Sequence, residues 1–287
     1  MTMLLSLSAG EIALKIFLAC ITQVLLWVGG TILVGVLVAF GNKLFYKCTG
    51  TASMAVCLTS GVLGVPLHEL GHALFCVIFF HKIVDMKLFM PSAPNGVLGY
   101  VSHQYNPKNF YQKLGNFFIG VGPIILISGV ILLLEFLLVP SMFKYTSAIN
   151  AAISEDASNG NVLWGLILYL KVFFSVDSLL NWRWWIYVVL SSLICLHMNL
   201  SKPDIKGSLT GLLFTVIVIF VFPIIVALFD IKNLSALTVV NNAMVTAGVY
   251  YLGVLTMAII FVYVLVILAF IVSLIVKPIK ALVRKRA

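Results

Sequence analysis

The sequence predicts an all-α polytopic membrane protein of about six transmembrane helices, with a small membrane-associated β-hairpin after the second. Three observations predict it. Hydrophobic residues make up 62% of the 287 positions and charged residues 9%, against roughly half and a quarter in soluble domains, and the mean hydropathy is +1.15. Apolar runs recur at the length of about 20 residues that a helix needs to cross a hydrocarbon core about 30 Å thick. One stretch, 81–114, breaks the helical pattern with strand-like segments around Asn95-Gly96, a hairpin turn signal.

The first crossing falls within residues 12–40, after Glu11, and has neither the basic lead nor the short apolar run of a signal peptide. It reads as a retained anchor. A short polar stretch with Lys43 and Lys47 separates it from the second crossing, within 54–80, which carries Pro66-Leu67-His68-Glu69-Leu70-Gly71-His72. Pro66 is expected to loosen that helix. Segments 83–90 and 97–103 read as two strands joined by Pro91-Ser92-Ala93-Pro94-Asn95-Gly96. The third crossing, within 117–138, contains Gly120, Gly122 and Pro123, small residues that permit close helix approach and a proline that can open the backbone. Glu135 in its distal half reads as an acid near the far interface or facing a wet cleft. Residues 140–183 form the longest non-spanning region, with 163–176 as an interfacial or re-entrant helix and Trp182-Arg183-Trp184-Trp185 as an aromatic anchor. The fourth crossing covers about 184–200, the fifth 209–229, and the last run, 243–276, is long enough to require tilt or a bend near Gly248 or Gly253. The whole chain reads as a single domain, 1–287. Its core covers about 53–230, with an additional N-terminal helix at 12–40 and a C-terminal one at 243–276.

Six crossings place both termini on one side. With the C-terminus inside, the inside segments carry 11 Lys and Arg and the outside loops 6, so the positive-inside rule puts both termini in the cytoplasm. The net charge of +9 is concentrated at the end, where Lys277, Lys280, Arg284, Lys285 and Arg286 follow an apolar helix. Nucleic-acid binding needs a solvated basic face, and almost no solvated chain exists to carry one. Cys20, Cys48, Cys57, Cys76 and Cys195 lack C-x-x-C spacing, so neither a disulfide framework nor a cysteine zinc site is expected.

His68 and His72 lie four residues apart, so they share one helix face and can hold a single Zn²⁺ while Glu69 polarises a water beside it. With 5 His and 9 acids in the chain, chance gives this pattern on the order of 0.003 times. An ionisable trio inside an apolar helix is also costly unless it has a use. A catalytic zinc takes three protein ligands. Asp204 leads for the third, because it ends a crossing on the motif's side, with His197 and His103 as the other candidates. Such a site can cut a peptide bond within or beside the bilayer, Glu69 taking the proton of water and passing it to the leaving amine. The free edge of the hairpin, near Gly99 and Tyr100, can pair with an extended substrate by strand addition.

The chain resembles the site-2 protease family of intramembrane zinc metalloproteases. The likeness rests on four features in order, spanning most of 61–229: His68-Glu69-Leu70-Gly71-His72 in a spanning helix, the hairpin at 83–103, Gly120-Val121-Gly122-Pro123 in the next helix, and Asn199 through Gly207 closing a later one. The family commonly has Asn, Pro and then Asp-Gly in the last feature, where this chain reads Asn199, Pro203 and Asp204-Ile205-Lys206-Gly207. An Asn that often follows the family's Gly-Pro is absent. The resemblance implies one catalytic zinc on His68, His72 and Asp204, Glu69 as catalytic acid/base, Asn199 as a substrate-fixing residue, and a transmembrane or membrane-adjacent protein substrate met in the lipid bilayer. The alternative expectation is a catalytically silent scaffold or transport module that keeps the fold. An intact Glu69 weighs against it, since a structural metal site needs no base.

Overall fold

The computed structural model describes residues 8–92, 96–155, 159–229 and 234–286. Four helical runs are long and apolar enough to cross a membrane, by length and composition: 9–78, Phe110–Leu138, Lys202–Phe229 and 235–276. By that measure the chain is a membrane protein. Side chains such as Leu33, Val36, Phe136 and Leu213 are more than half exposed, a surface suited to lipid rather than to water.

The first run is 70 residues long, far more than one crossing needs. It comprises α1 (Ala9–Gln23), a wider π-helical segment (Val24–Gly29), α2 (Gly30–Thr49), a 3₁₀ turn (Gly50–Ala52) and α3 (Ser53–Ile78). The chain reverses at the 3₁₀ turn, where Gly50 has a φ of 54°, a value that suits a residue without Cβ. Contacts on either side show the reversal. Asn42 of α2 donates to the carbonyls of Cys195 and Leu196, and Ser60 of α3 bonds His197 in the same segment. Further out, Gly35 and Gly71 both abut the stretch 122–124. Residues at similar distances from the turn therefore stand at the same level.

Pro66 lies inside α3 without ending it. The helix ends at Ile78, Phe80 has a φ of 55°, and the His81 N–H returns to the Cys76 carbonyl at 2.8 Å, satisfying a terminal acceptor. Strands β1 (Lys82–Lys87) and β2 (Tyr100–Gln104) then pair antiparallel, with Lys87 opposite Tyr100, Ile83 opposite His103 and an irregularity between Ile83 and Asp85. The two strands are shorter than the sequence suggests, although Met90 N–H still donates to the Leu98 carbonyl beyond them. Of the expected turn, residues 93–95 lie outside the described ones, and Gly96 has a φ of 71°.

Helix α4 (Phe110–Leu138) is continuous through Pro123 and packs along α3. After it come α5 (Pro140–Glu155), α6 (Asn159–Phe173), α7 (Val176–Leu180) and α8 (Trp182–Cys195). The sequence places a fourth crossing here, but α8 has 14 residues, about 21 Å at 1.5 Å each, and does not by itself cover the hydrocarbon core. Of the tryptophans, Trp184 packs on Phe173 in the core, while Trp182 and Trp185 point outward. Helix α9 (Lys202–Phe229) lies against α4, and α10 (Ser235–Arg286) against α2. The main core gathers Val38, Ile127, Phe173, Tyr187 and Phe261. None of the five cysteines is bridged.

Helices α3 and α4 approach backbone to backbone. A Cβ built on Gly71 would stand 2.7 Å from the Pro123 backbone, and one on Gly122 would stand 2.5 Å from the Gly71 carbonyl oxygen. Backbone cannot rotate away as a side chain can, so both positions exclude any larger residue. Gly122→Ala should destabilise the protein by about 1–3 kcal/mol through overpacking. Gly129→Ala on the same helix meets nothing within 4 Å and should be neutral or stabilising, by up to about 1 kcal/mol. Thermal unfolding of both variants in detergent checks the contrast, and equal effects would refute the tight crossing.

Candidate metal centre

Helix α3 places His68 and His72 one turn apart, with their Nε2 atoms 3.2 Å from each other. Each Nδ1 is held from outside. His68 Nδ1–H donates to the His197 carbonyl at 2.8 Å, and His72 Nδ1–H to the Ile119 carbonyl at 2.7 Å. A carbonyl can only accept, so the ring proton sits on Nδ1 and the Nε2 lone pair faces inward. The backbone kink that exposes the His197 carbonyl ends α8, and the imidazole of His197 turns the other way, donating from Nε2 to Ser60 Oγ at 2.8 Å.

Asp204 completes the group from the first turn of α9. Its Oδ1 lies 3.3 Å from His72 Nε2 and its Oδ2 3.7 Å from His68 Nε2. Ser201 caps the helix reciprocally: its N–H donates to Asp204 Oδ2 at 2.7 Å, and the Asp204 N–H donates to Ser201 Oγ at 3.3 Å. Pro203 sits in that turn, where its missing N–H has no helical partner to lose. The three candidate ligand atoms lie within 4.8 Å of one another. Two nitrogens bound at about 2.0–2.1 Å to a tetrahedral zinc stand about 3.3 Å apart. Two inward lone pairs and a carboxylate at this spacing repel one another without a cation between them, so the donor set fits a divalent metal ion.

Glu69 is buried beside the group, and a Cβ built on Gly99 would stand 2.8 Å from Glu69 Cγ and 3.0 Å from its Oε1. The segment entering β2 therefore lies directly over the acid. One cavity of about 390 Å³ is lined by His68, Glu69, His72, Asp204, Tyr100 and Asn116, among others. A second, of about 330 Å³, shares His68, Glu69, Gly99 and Ser201 and adds Asn199. Asn199 Oδ1 accepts from Asn42 Nδ2 at 2.9 Å. The Tyr100 hydroxyl is committed to Asp85, to which it donates at 2.5 Å.

Of the other third-ligand candidates, neither His197 nor His103 belongs to the convergent group. His103 pairs with His81, Nδ1 to Nδ1, at 3.0 Å, and His81 Nε2–H donates to the Gln112 carbonyl at 2.8 Å. Glu135 lies apart, buried and accepting from Thr146 Oγ1 at 2.8 Å, on a separate cavity of about 350 Å³. Sequence reasoning missed two asparagines. Asn42 falls in what reads as a polar stretch between crossings but is fully buried in α2, and Asn116 reads only as a helix entry. The available signal for both is a carboxamide within or beside a long apolar run, which is costly unless paired or used.

No protein-family model matches the chain, and no curated protein or solved structure is significantly similar to it.

The His81–His103 pair makes hairpin docking sensitive to acid. Burial, followed by the nearby His81 and His72, pushes the His103 imidazole down to about 4. Burial also lowers that of His81, against the opposing pull of the Gln112 carbonyl. The unfolded chain, with imidazoles near 6.5, then binds more protons than the folded one. Stability is therefore complete above pH about 6.5 and declines as pH falls towards 4. Thermal unfolding across that window should show the decline, and His103→Gln should flatten it; an unchanged slope would exclude this pair as its source.

Proposed function

We propose that the protein is a zinc-dependent intramembrane endopeptidase of the site-2 protease kind. The observation that carries the reading is the convergence of His68 Nε2, His72 Nε2 and the Asp204 carboxylate beside a buried Glu69. His68, His72 and Asp204 would hold one zinc ion beside the cavity that all three line, leaving one position for water or substrate. Zinc at such a three-ligand site supplies Lewis acidity, bringing the pKa of water near neutral and polarising a carbonyl.

The chain's own residues supply the rest. The carbonyls of Ile119 and His197 hold the two imidazoles in one tautomer, and the Ser201 N–H steadies the Asp204 carboxylate. Glu69 takes the proton of the attacking water and delivers it to the leaving amine nitrogen. A buried acid that is not among the converging ligands is what this step needs and what a structural metal site does not. The substrate is a membrane-embedded or membrane-adjacent peptide bond in an opened helix. Strand addition beside Gly99 and Tyr100 would align it, and Asn199 would hold it on the other side of Glu69. With the chain folding back at Gly50 and α8 taken with its following segment to Leu200, six crossings result, with both termini cytoplasmic by the distribution of Lys and Arg.

Purified protein should contain one zinc per chain. His68→Ala, His72→Ala and Asp204→Ala should lose it, whereas His197→Gln should retain most of it. Full zinc occupancy in a folded His68→Ala/His72→Ala protein would end the proposal.

Glu69→Gln, nearly isosteric, should keep zinc and fold. Its cleavage of a panel of single-span membrane helices in nanodiscs should fall about 10²–10⁴-fold. Undiminished cleavage by metal-loaded Glu69→Gln would exclude Glu69 as the base. A wild-type protein that binds zinc but cleaves no helix in the panel would favour a scaffold.

A further inference from the structure

Asn116 lines the metal cavity and has no part in the chemistry so far. It is 4% exposed, and its Nδ2 finds no hydrogen-bond partner among the described residues. Six buried side-chain polar atoms share that condition, on Asn42, Asn116, Trp184, Tyr187, Ser191 and Ser192. Of these residues, Asn116 is the one that lines the cavity of His68, Glu69, His72 and Asp204. An unpaired buried amide is unfavourable to keep, and its neighbours Phe117 and Phe118 show that α4 takes apolar side chains here. On α4, Asn116 also shares a face with Ile119, Gly120 and Pro123, at spacings of three, four and seven residues. Ile119 offers its carbonyl to His72, and Pro123 abuts Gly71.

Several other donors on the cavity wall are committed. The Tyr100 hydroxyl donates to Asp85, and the Ser201 N–H to Asp204. His81 gives its Nε2–H to the Gln112 carbonyl, so its Nδ1 must accept, and the proton between the two rings belongs to His103 Nδ1. His103 Nε2 is then a lone pair, able to accept but not to donate. Glu69, as the base, carries no hydrogen to give before the water is deprotonated. Two neutral side-chain donors are left, the exposed Ser201 hydroxyl, whose oxygen accepts from the Asp204 N–H, and the Asn116 carboxamide, and of the two only Asn116 is buried.

We infer that the Asn116 carboxamide donates a hydrogen bond to the oxygen of the carbonyl under attack, an inference that rests on the proposed peptidase reading. In that step the water oxygen bonds to the carbonyl carbon, the π pair moves onto the carbonyl oxygen, and Glu69 takes a proton. In the next step the pair returns, the C–N bond breaks, and the proton passes from Glu69 to the amine. The oxygen is most negative between the two steps, so a fixed donor there favours the transition state over the ground state.

Asn116→Leu and Asn116→Ala test it in nanodisc-reconstituted protein. Expected are unchanged zinc content, a thermal midpoint equal or higher, and kcat lower by about 10²–10³-fold with KM little changed. A phosphinic peptide, which carries the tetrahedral oxygens, should bind more weakly to both variants. Uncleaved substrate should bind equally well with or without Asn116→Leu in Glu69→Gln protein. Undiminished kcat in either folded variant overturns the inference, as does loss of zinc or a lowered midpoint in both, which would make Asn116 structural. If wild-type protein neither cleaves a helix nor binds the phosphinic peptide, the peptidase reading itself fails and takes this inference with it. If wild-type does both and Asn116→Leu matches it, only the inference fails.

Discussion

The backbone contact between Gly71 and Gly122–Pro123 governs the geometry of the candidate metal centre. Gly71 stands between Glu69 and His72 on α3, so pressing it onto α4 brings the Ile119 carbonyl within 2.7 Å of His72 Nδ1. A side chain at either glycine would push the helices apart by a substantial part of a hydrogen-bond length. The ring of His72 would then lose the acceptor that fixes its tautomer. On the next face of α4, Gly120 lets the first turn of α9 approach: a Cβ there would stand 2.6 Å from the Asp204 carbonyl oxygen. Helix α4 is thus the plane against which both other contributors are set. In lipid, where apolar burial gives helices little reason to associate, such small-residue contacts are a main source of packing energy.

Electrostatics dictates how these contacts are used. Burying three groups that all present electron pairs is unfavourable in an apolar setting, and each is held by a partner that leaves its pair pointing at the others. Carbonyl oxygens of Ile119 and His197 take the outward protons of the imidazoles, while a backbone N–H and the N-terminal end of α9 support the carboxylate. These supports come from α4, the connection between α8 and α9, and α9 itself, so the arrangement is a product of the whole fold rather than of the helix bearing the motif. A cation relieves the repulsion, and the group is more simply understood as built for one than as an accidental cluster.

How much of this was legible in the sequence depended on the range of the interaction. The pairing of His68 with His72 follows from helix geometry over four residues, and the hairpin from a local turn signal, so both could be read directly. Asp204 lies 132 positions beyond His72 in the numbering, and only its place at the end of an apolar run pointed to it; His197 and His103 stood on similar footing. What separates the three in the structure is hydrogen bonding to Ser60 and His81, which no periodicity encodes. The fold-back at Gly50 was read as two crossings with a polar stretch between, yet the helix continues through Lys43 and Lys47 to Thr49. Lysines with long apolar stems end a membrane helix as readily as they leave one. Asn42 and Asn116 stayed unread because a carboxamide's role depends on what packs around it, and that is set by contacts far away in sequence.

Access to Glu69 follows from the same packing. The two cavities at the site share His68, Glu69, Gly99 and Ser201 in their walls, one being lined also by Asn116 and Tyr100 and the other by Tyr46 and Asn199. The segment that leads into β2 lines both, and Gly99 touches Glu69 from above. A helix with side chains is about 10–12 Å across, whereas an extended chain needs only the 4.7–4.9 Å of a neighbouring strand in the pairing direction. Gly99 and α3 already touch, so an intact helix does not fit between them, and a substrate paired by strand addition would be an unwound segment lying along the hairpin edge. On the peptidase reading, the hairpin is then more than a docking edge. By requiring its partner to be extended, it confines reaction to bonds whose carbonyls have already left their helical hydrogen bonds. Stable spanning helices, this protein's own included, stay beyond the reach of Glu69.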